Sequence, residues 1–318
     1  MITRGKFIFY SALPPAIIAS LCLTVYLLNA NQGTLAQLAE YRLYRVLYAL
    51  LAGGALAASG CFLQSTLRNP LVDHYILGVG SGALFASYIA IIVYGQVPLL
   101  TTVFAVAGGL LALALTILVA ERISGSDAAY VLAGIGITSL FSGLSALLSY
   151  YAITKYPYAG LMLLGSFTLA TRDKLLYALL AYALTYVGFT FLSKRLNALL
   201  IGDEYAAQLG VSPRAIRLSA SVISGTAASV VVSMFGLVGF VGLVAPHIAR
   251  FVVKTSDNRV VIPVASVIGA LILLVADTFS RLVTTPVIGE VPAGAVVSVF
   301  GAPFFTLLVV RRFKRGLI

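Results

Sequence analysis

The residues best suited to chemistry in this sequence are three ionisable side chains near the end of an apolar run. Asp277 lies within the run, and Arg281 and Glu290 follow it. An ionisable side chain inside a long apolar segment is by default a candidate functional residue. Asp277 could bind an ion there. Alternatively, it lies close enough to the end of the run to be partly solvated or to pair with Arg281.

No other set of side chains forms a catalytic or metal-binding motif. His74 and His247 are isolated, and Cys22 and Cys61 each lie within an apolar run. We therefore expect no metal site and no disulfide, and we expect His247 to be packed and hydrogen-bonded. The sequence contains neither G-x-x-x-x-G-K-[ST] nor H-E-x-x-H. The chain is therefore predicted not to be an enzyme and to bind no cofactor of its own.

The composition indicates which elements must position these residues. Charged residues are 10% of the chain, apolar residues are 60%, and the mean hydropathy is +1.04. Soluble domains carry about 25% charged residues, so lipid must be the solvent for much of this chain. Apolar runs of about 20 residues recur, and they are continuous rather than alternating. This pattern predicts an all-α integral membrane protein of the inner or plasma membrane, with many crossings.

Ten spans are predicted, and the first is expected to be retained rather than cleaved as a signal peptide. The run from Leu218 to Val253 is too long for one crossing, so it is divided at Met234–Gly236. The apolar piece Leu161–Ala170 is too short to cross and is predicted to be re-entrant or interfacial. The spans are 7–28, 45–65, 76–94, 98–119, 128–153, 175–193, 215–235, 239–253, 260–280 and 293–310.

The distribution of Lys and Arg predicts the orientation. With both termini in the cytoplasm, 15 of the 21 Lys and Arg residues fall on the cytoplasmic side, and the opposite orientation would reverse this bias. The net charge of +11 is explained by attraction to the anionic inner leaflet, so no nucleic-acid partner is expected. The longest polar stretches are 29–44 and 194–217, so residues 1–318 are predicted to form one membrane domain.

Three polar or glycine-rich interruptions carry further information. Asn69 and Pro70 suit the N-cap and first position of a short helix near the inner face. Gly239 and Pro246 mark a second interruption, within the segment Gly236–Arg250. Tight helix packing is a sufficient explanation of both.

The third interruption, Gly202–Arg217, is longer than a simple turn requires. Asp203 can cap a short helix, Glu204 suits its first turn, and Gly210 suits the left-handed position that ends it. Ser212 and Pro213 then restart a helix. The segment is either a docking surface on the cytoplasmic face or an ordinary interfacial turn.

These segments together resemble the FecCD-type permease family of ABC importers. The resemblance is carried, in family order over nearly the whole chain, by RLYRVL at 42–47, SGCFLQSTLRNPLVDHYILGVGSG at 59–82, LLGSF at 163–167, GDEYAAQLGV at 202–211, GLVGFVGLVAPHIAR at 236–250, AD with RL at 276–282, and EVPAG with GAPFF at 290–305. The chain departs from the family at Tyr44, where proline is usual, and before Gly165, where the frequent tryptophan is missing.

The resemblance implies a homodimer of ten-span subunits, two cytoplasmic ABC ATPase subunits that use ATP and Mg, and an extracytoplasmic substrate-binding protein. Arginines at the outer surface would contact the binding protein, and the matching residues are Arg42, Arg45 and Arg281, of which Arg42 and Arg45 would share a helical face. The residues that match the family's coupling helices, and that would contact the ATPase, lie within the element at about 202–213. They are Gly202, Asp203, Glu204, Ala207, Leu209, Gly210 and Val211. By the same resemblance, the residues that would gate the pathway near the cytoplasm are Ser124, Ser126 and Asp127.

The implied function is import by alternating access, driven by the partner ATPase. The expected cargo is a metal chelate or tetrapyrrole, namely an iron-siderophore, haem or cobalamin, although oxyanion transport also occurs in the family. The alternative is an ion-coupled secondary transporter that uses Asp277.

Overall fold

The computed structural model describes residues 10, 12–15, 17, 36–283 and 289–314. Cys22 and most of the predicted span 7–28 lie outside these residues. The described residues from Ala36 onward form eleven α-helices: α1 (Ala36–Thr66), α2 (Val79–Tyr94), α3 (Pro98–Ile123), α4 (Asp127–Lys155), α5 (Leu161–Leu164), α6 (Leu175–Ile201), α7 (Asp203–Gln208), α8 (Pro213–Phe235), α9 (Val241–Val253), α10 (Asn258–Leu282) and α11 (Ala293–Lys314). Short 3₁₀ turns lie at Pro157–Gly160, Phe167–Leu169 and Arg172–Lys174.

Each predicted span from 45–65 onward coincides with one of these helices, with boundaries that differ by up to nine residues. Among the described residues, six helices are long and apolar enough to cross a membrane, and they begin at Glu40, Pro98, Ala128, Arg172, Pro213 and Asn258. The apolar helices Val79–Tyr94, Val241–Val253 and Ala293–Leu307 are shorter. The chain is therefore an all-helical, multi-pass membrane protein, and the exact number of crossings stays a prediction.

Helix α1 is the centre of the bundle, because 94% of its most apolar window is buried against other helices. Small residues allow this contact. A Cβ atom on Gly53 would lie 2.3 Å from the carbonyl oxygen of Gly269 in α10, and one on Gly60 would lie 1.8 Å from the carbonyl oxygen of Gly242 in α9. The backbones therefore touch directly, as expected where no hydrophobic effect drives helices together in lipid.

The predicted break between α8 and α9 is present, and its exposed backbone groups are paired inside the protein. Gly236 ends α8 with φ 81°. The Ser166 N–H donates to the Phe235 carbonyl at 2.8 Å, and the Leu237 N–H donates to the Met162 carbonyl at 3.0 Å. Irregular backbone within a membrane requires such partners.

Those partners come from the segment Leu161–Ala170, which does not cross the bundle. It contains only α5 and a 3₁₀ turn. Met162 and Phe167 are buried within the protein. The Gly294 N–H at the start of α11 donates to the Gly165 carbonyl at 2.8 Å. The prediction that this piece is too short to cross is confirmed.

The predicted short helix at Asn69 and Pro70 is wrong, because the chain from residue 67 to residue 78 makes turns instead. The Asn69 side chain accepts the Leu71 N–H at 2.9 Å, which closes an Asx turn rather than capping a helix. Asp73 then accepts the N–H groups of residues 75–76 at 3.0 and 2.9 Å. Side chains that bond to nearby backbone in this way compete with helix formation.

Two smaller predictions are confirmed. The Nδ1 atom of His247 lies 2.8 Å from the Leu243 carbonyl oxygen, so this histidine is packed and hydrogen-bonded. Cys61 is fully buried in the core of the bundle, as its position within an apolar run indicated. Gly239 and Pro246 lie at the start of α9 and within it, respectively, and Pro246 is buried.

Candidate functional site

The bundle has two ends that carry polar groups, and each is named here after a residue of α1. The Arg45 end contains the start of α1, the end of α10 and Glu290. The Thr66 end contains the end of α1, helix α7 and the start of α8. The predicted docking residues lie at the first, and the predicted coupling residues lie at the second.

Arg45 makes the central ion pairs of the Arg45 end. Its side chain is 1% exposed and bridges two carboxylates. Its Nε and Nη2 atoms donate to one oxygen of Asp277 at 3.1 and 2.5 Å, and Nη1 donates to Glu290. The network ties α1 to α10 and to the segment before α11.

Asp277 is shared between two arginines. It is 0% exposed, and its second oxygen lies 3.3 Å from the Nε atom of Arg281, one helical turn further along α10. The expected pairing with Arg281 is confirmed, and the alternative of partial solvation is not met. The pairing with Arg45 was missed, although a buried carboxylate that needs a cation was the signal for it.

The three predicted docking arginines differ in accessibility. Arg42 is exposed, Arg281 is 26% exposed, and Arg45 is buried. Arg42 and Arg45 lie three residues apart in α1, so they share a helical face as expected, but only Arg42 is exposed. The reason is that Asp277 lies opposite α1 and holds Arg45 in the interior.

A cavity of about 580 Å³ also lies at the Arg45 end. It is bordered by the start of α3, the segment 158–162, the turns at 168–174 and the end of α8. Its polar lining includes Asp173, Lys174 and Glu290, and the Thr102 and Ser233 hydroxyls that bond to each other at 3.0 Å. The cavity is large, and its lining combines polar and apolar side chains.

At the Thr66 end, α7 forms a short separate helix. Its N-cap is Gly202 rather than the predicted Asp203, and no side chain caps it. The carboxylate of Asp203 instead accepts from Arg217 at 2.9 Å and lies 3.9 Å from Arg68. Gly210 ends the element with φ 73°, as predicted.

The exposed surface of this element combines polar and apolar groups. Ala206 is buried and anchors α7 to the bundle, whereas Tyr205 and Leu209 are large apolar side chains exposed to the surroundings. Glu204 and Ala207 are also exposed. Exposed apolar side chains on a firmly anchored helix are typical of a docking surface.

The next helix, α8, begins as predicted. The Ser212 hydroxyl accepts the Ala215 N–H at 3.4 Å, and Pro213 is the first residue of the helix.

The predicted gate residues form the tight connection between α3 and α4. The Ser124 and Ser126 hydroxyls lie 2.8 Å apart, and Ser126 caps α4 by accepting the Ala129 N–H at 3.3 Å. The side chain of Asp127 lies outside the described part. Only 22% of the most apolar window of α4 is buried, the smallest share among the six candidate spans of the described chain.

Asp257 is a further carboxylate at the Thr66 end. Asp257 accepts from Asn197 at 2.7 Å and from Arg259 at 2.5 Å. Burial acts to raise the pKa of Asp257, but the hydrogen bonds from Arg259 and Asn197 outweigh burial and hold the pKa below its usual value.

Comparison with known sequences agrees with the arrangement of these segments. A profile of the FecCD transport family matches residues 7–311. The hemin transport system permease protein HmuU of Yersinia pestis is 35% identical over 277 residues, which cover 85% of this chain and 82% of that protein. The molybdate import system permease protein MolB of Haemophilus influenzae is 34% identical, with 87% and 81% covered. The Fe(3+)-citrate import system permease protein YfmE of Bacillus subtilis is 31% identical, with 85% and 80% covered.

Solved structures give the same fold. An ABC transporter assigned to the metal-chelate type, in an inward-facing conformation, superposes with a TM-score of 0.76 and 28% identity. The match covers 93% of this chain and 99% of the other. PsaBC from Streptococcus pneumoniae, in complex with a Fab, superposes with a TM-score of 0.62 at 16% identity, a likeness of fold alone.

Proposed function

The chain belongs to the FecCD transport family, and on this premise we propose how it acts as the permease subunit of an ABC importer in the inner membrane. The single observation that carries the mechanism is the contrast between an anchored, exposed helix at one end and a buried ion-pair network at the other. We place the Thr66 end and both termini in the cytoplasm and count ten crossings, on the basis of the Lys and Arg distribution.

Helix α7 is proposed as the coupling helix that docks on the ATPase partner. Tyr205 and Leu209 supply apolar contact, and Gly202 and Gly210 allow the sharp turns at its two ends. ATP and Mg are used by that partner. Movement of the docked ATPase subunits then acts on the bundle through the anchored residue Ala206.

The subunit is proposed to form a homodimer, with the pathway between two copies. Helix α4 offers the surface, since most of it is exposed and a Cβ atom on Gly136 or Gly143 would meet no atom within 4 Å. Small residues favour the close approach of a second helix in lipid. The connection at Ser124, Ser126 and Asp127 would then gate the cytoplasmic end of the pathway.

At the Arg45 end, Arg42 and Arg281 are proposed to contact acidic groups of the binding protein. Arg45 is proposed to position them by fixing α1 against α10, because its guanidinium is already bonded to Asp277 and Glu290. Charges at the rim of an interface chiefly set orientation and association rate.

The proposed cargo is a metal chelate or tetrapyrrole, such as an iron-siderophore, haem or cobalamin. The cavity at the Arg45 end supports a bulky cargo with polar groups. Ion coupling through Asp277 is disfavoured, because both of its oxygens already face arginines.

The function is tested by reconstituting the chain in liposomes with its ATPase and binding protein. Uptake of a ferric siderophore, haem, cobalamin and molybdate is measured with ATP, without ATP, and with an ion gradient alone. We expect ATP-dependent uptake of one of the first three compounds. Uptake driven by an ion gradient alone would reject the importer mechanism, and uptake of molybdate alone would reject the cargo class.

The docking surface is tested with Arg42→Glu combined with Arg281→Gln. The association rate with the binding protein is expected to fall by about tenfold at low salt, because steering charges have been removed. Lys155→Gln, which removes one positive charge from the same end, is the control for a general loss of charge. An unchanged association rate in the double variant would contradict the docking role.

A further inference from the structure

A second cavity lies at the Thr66 end, and the mechanism proposed above does not use it. Its volume is about 550 Å³, and it lies between the end of α1 and helices α3, α4 and α8. One wall is apolar and consists of Leu77, Leu113 and Ile117, and Leu218 of α8 also lines the cavity. The other wall is cationic.

The cationic wall is formed by the first turns of α8. Arg214 and Arg217 both line the cavity, next to the N-terminal end of a 23-residue helix. The positive end of the helix dipole disfavours basic residues and favours an anion. Arg217 is partly neutralised by Asp203 at 2.9 Å. Arg214 is exposed and makes no ion pair or side-chain hydrogen bond within the described part of the chain.

An independent observation concerns Thr66, which also lines the cavity. Its side chain is 1% exposed, and its hydroxyl has no hydrogen-bond partner among the described residues. A buried hydroxyl without a partner is costly. Arg217 donates to the carbonyl oxygen of the same residue at 3.4 Å, so the hydroxyl lies close to the cationic wall.

We propose that this cavity binds an anionic phospholipid of the cytoplasmic leaflet. The phosphate group is held by Arg214, Arg217 and the Thr66 hydroxyl, and an acyl chain lies along the apolar wall. Basic pockets between transmembrane helices on the cytoplasmic side suit such headgroups. A free phosphate would satisfy the cations but would leave the apolar wall uncovered. The proposal rests on the orientation proposed above, in which the Thr66 end faces the cytoplasm.

One carboxylate, Glu121, also lines the cavity and must be accommodated. Its Oε1 atom accepts a hydrogen bond from the Tyr130 hydroxyl, which holds it against α4. Glu121 opposes a bound anion and so limits the affinity. Glu121→Gln is therefore expected to strengthen phospholipid binding by about threefold, and a weakening would count against the proposal.

The test is native mass spectrometry of the full chain purified in detergent and titrated with dioleoyl phosphatidylglycerol. Arg214→Gln is expected to lower the affinity by about tenfold, the loss of one charge-assisted hydrogen bond. Its fold should be intact, because Arg214 makes no ion pair or side-chain hydrogen bond with the residues that the structure describes. Thr66→Val, which keeps the shape of the side chain, is expected to lower the affinity by about threefold.

Controls separate this site from general attraction to charge. Arg195→Gln removes an exposed cation from the same end but outside the cavity, and it is expected to change nothing. An equal loss in Arg195→Gln and Arg214→Gln would overturn the proposal, as would equally tight binding of phosphatidylcholine. Displacement of the lipid by an equal concentration of inorganic phosphate would reassign the site to a soluble anion. The assay needs neither ATP nor a binding protein, so its failure is distinct from a failure of transport.

Discussion

Each end of the bundle contains an aspartate that faces two arginines, and the two differ in exposure. Asp277 is 0% exposed and lies between Arg45 and Arg281. Asp203 is 41% exposed and lies near Arg217 and Arg68. The same combination of charges is thus buried at one end and open to water at the other.

The difference in exposure predicts a difference in rigidity. A buried ion pair cannot lose one partner without leaving an uncompensated charge, so it fixes the helices that carry it. An exposed pair contributes about 0–1 kcal/mol and is weakened by salt. The Arg45 end is therefore built to hold its shape, whereas the exposed charge pairs of Asp203 at the Thr66 end are weak enough to be exchanged for contacts with a partner.

The largest effect is expected from Arg45→Met. The substitution leaves Asp277 buried beside only one arginine, so the free energy of unfolding should fall by about 3–5 kcal/mol. Thermal unfolding in detergent measures the loss. Arg42→Met, three residues away on the exposed side of α1, is the control and should change stability by no more than about 0.5 kcal/mol. Equal effects would show that the network at the Arg45 end does not fix the fold.

A smaller effect is expected from Asp203→Asn. The exposed pairs with Arg217 and Arg68 are lost, so the free energy of unfolding should fall by less than about 1 kcal/mol. At about 1 M salt this difference should vanish, because exposed charges are then screened. The deficit of Arg45→Met should persist under the same conditions. A salt-independent loss in Asp203→Asn would remove the contrast between the two ends.

A third effect concerns pH and Asp257, which lies at the Thr66 end but is more enclosed than Asp203. Its pKa is lowered in the folded protein, so its contribution is complete above the unfolded value of about 3.9 and is lost as the pH falls through the folded value. Asp257→Asn should therefore be less stable than the parent at neutral pH. The difference should disappear in acid, and a constant difference down to about pH 3 would refute the assignment.

Local backbone chemistry was predictable from the sequence, and long-range pairing was not. The break at Gly236, the cap at Ser212 and the turn at Gly210 each depend on a few adjacent residues, and each is present. The prediction of a short helix at Asn69 was wrong, because an asparagine side chain suits a helix N-cap and an Asx turn equally. Packing against distant residues decides between the two. The pairing of Arg45 with Asp277 joins residues 232 positions apart, which no local pattern encodes.

For the candidate site, the exposed elements were easier to predict than the buried ones. Helix α7 was located from its glycines and acidic residues, because these adjacent residues determine where the helix begins and ends. The role of Arg45 was assigned from a resemblance that treats three arginines alike. Only the side-chain contacts separate Arg45 from Arg42, since both lie in the same stretch of α1.

The backbone bonds around Gly236 have a consequence for biogenesis. The groups freed at the end of α8 pair with residues 162–166, which leave the ribosome earlier. The Gly165 carbonyl then accepts from Gly294, which is made later. The α8–α9 break therefore meets partners that are already in the membrane, whereas the Gly165 carbonyl pairs only when Gly294 has been made. This part of the permease can thus assemble in the order of synthesis. A ribosome stalled after α9 should yield an intermediate in which the α8–α9 break is already formed.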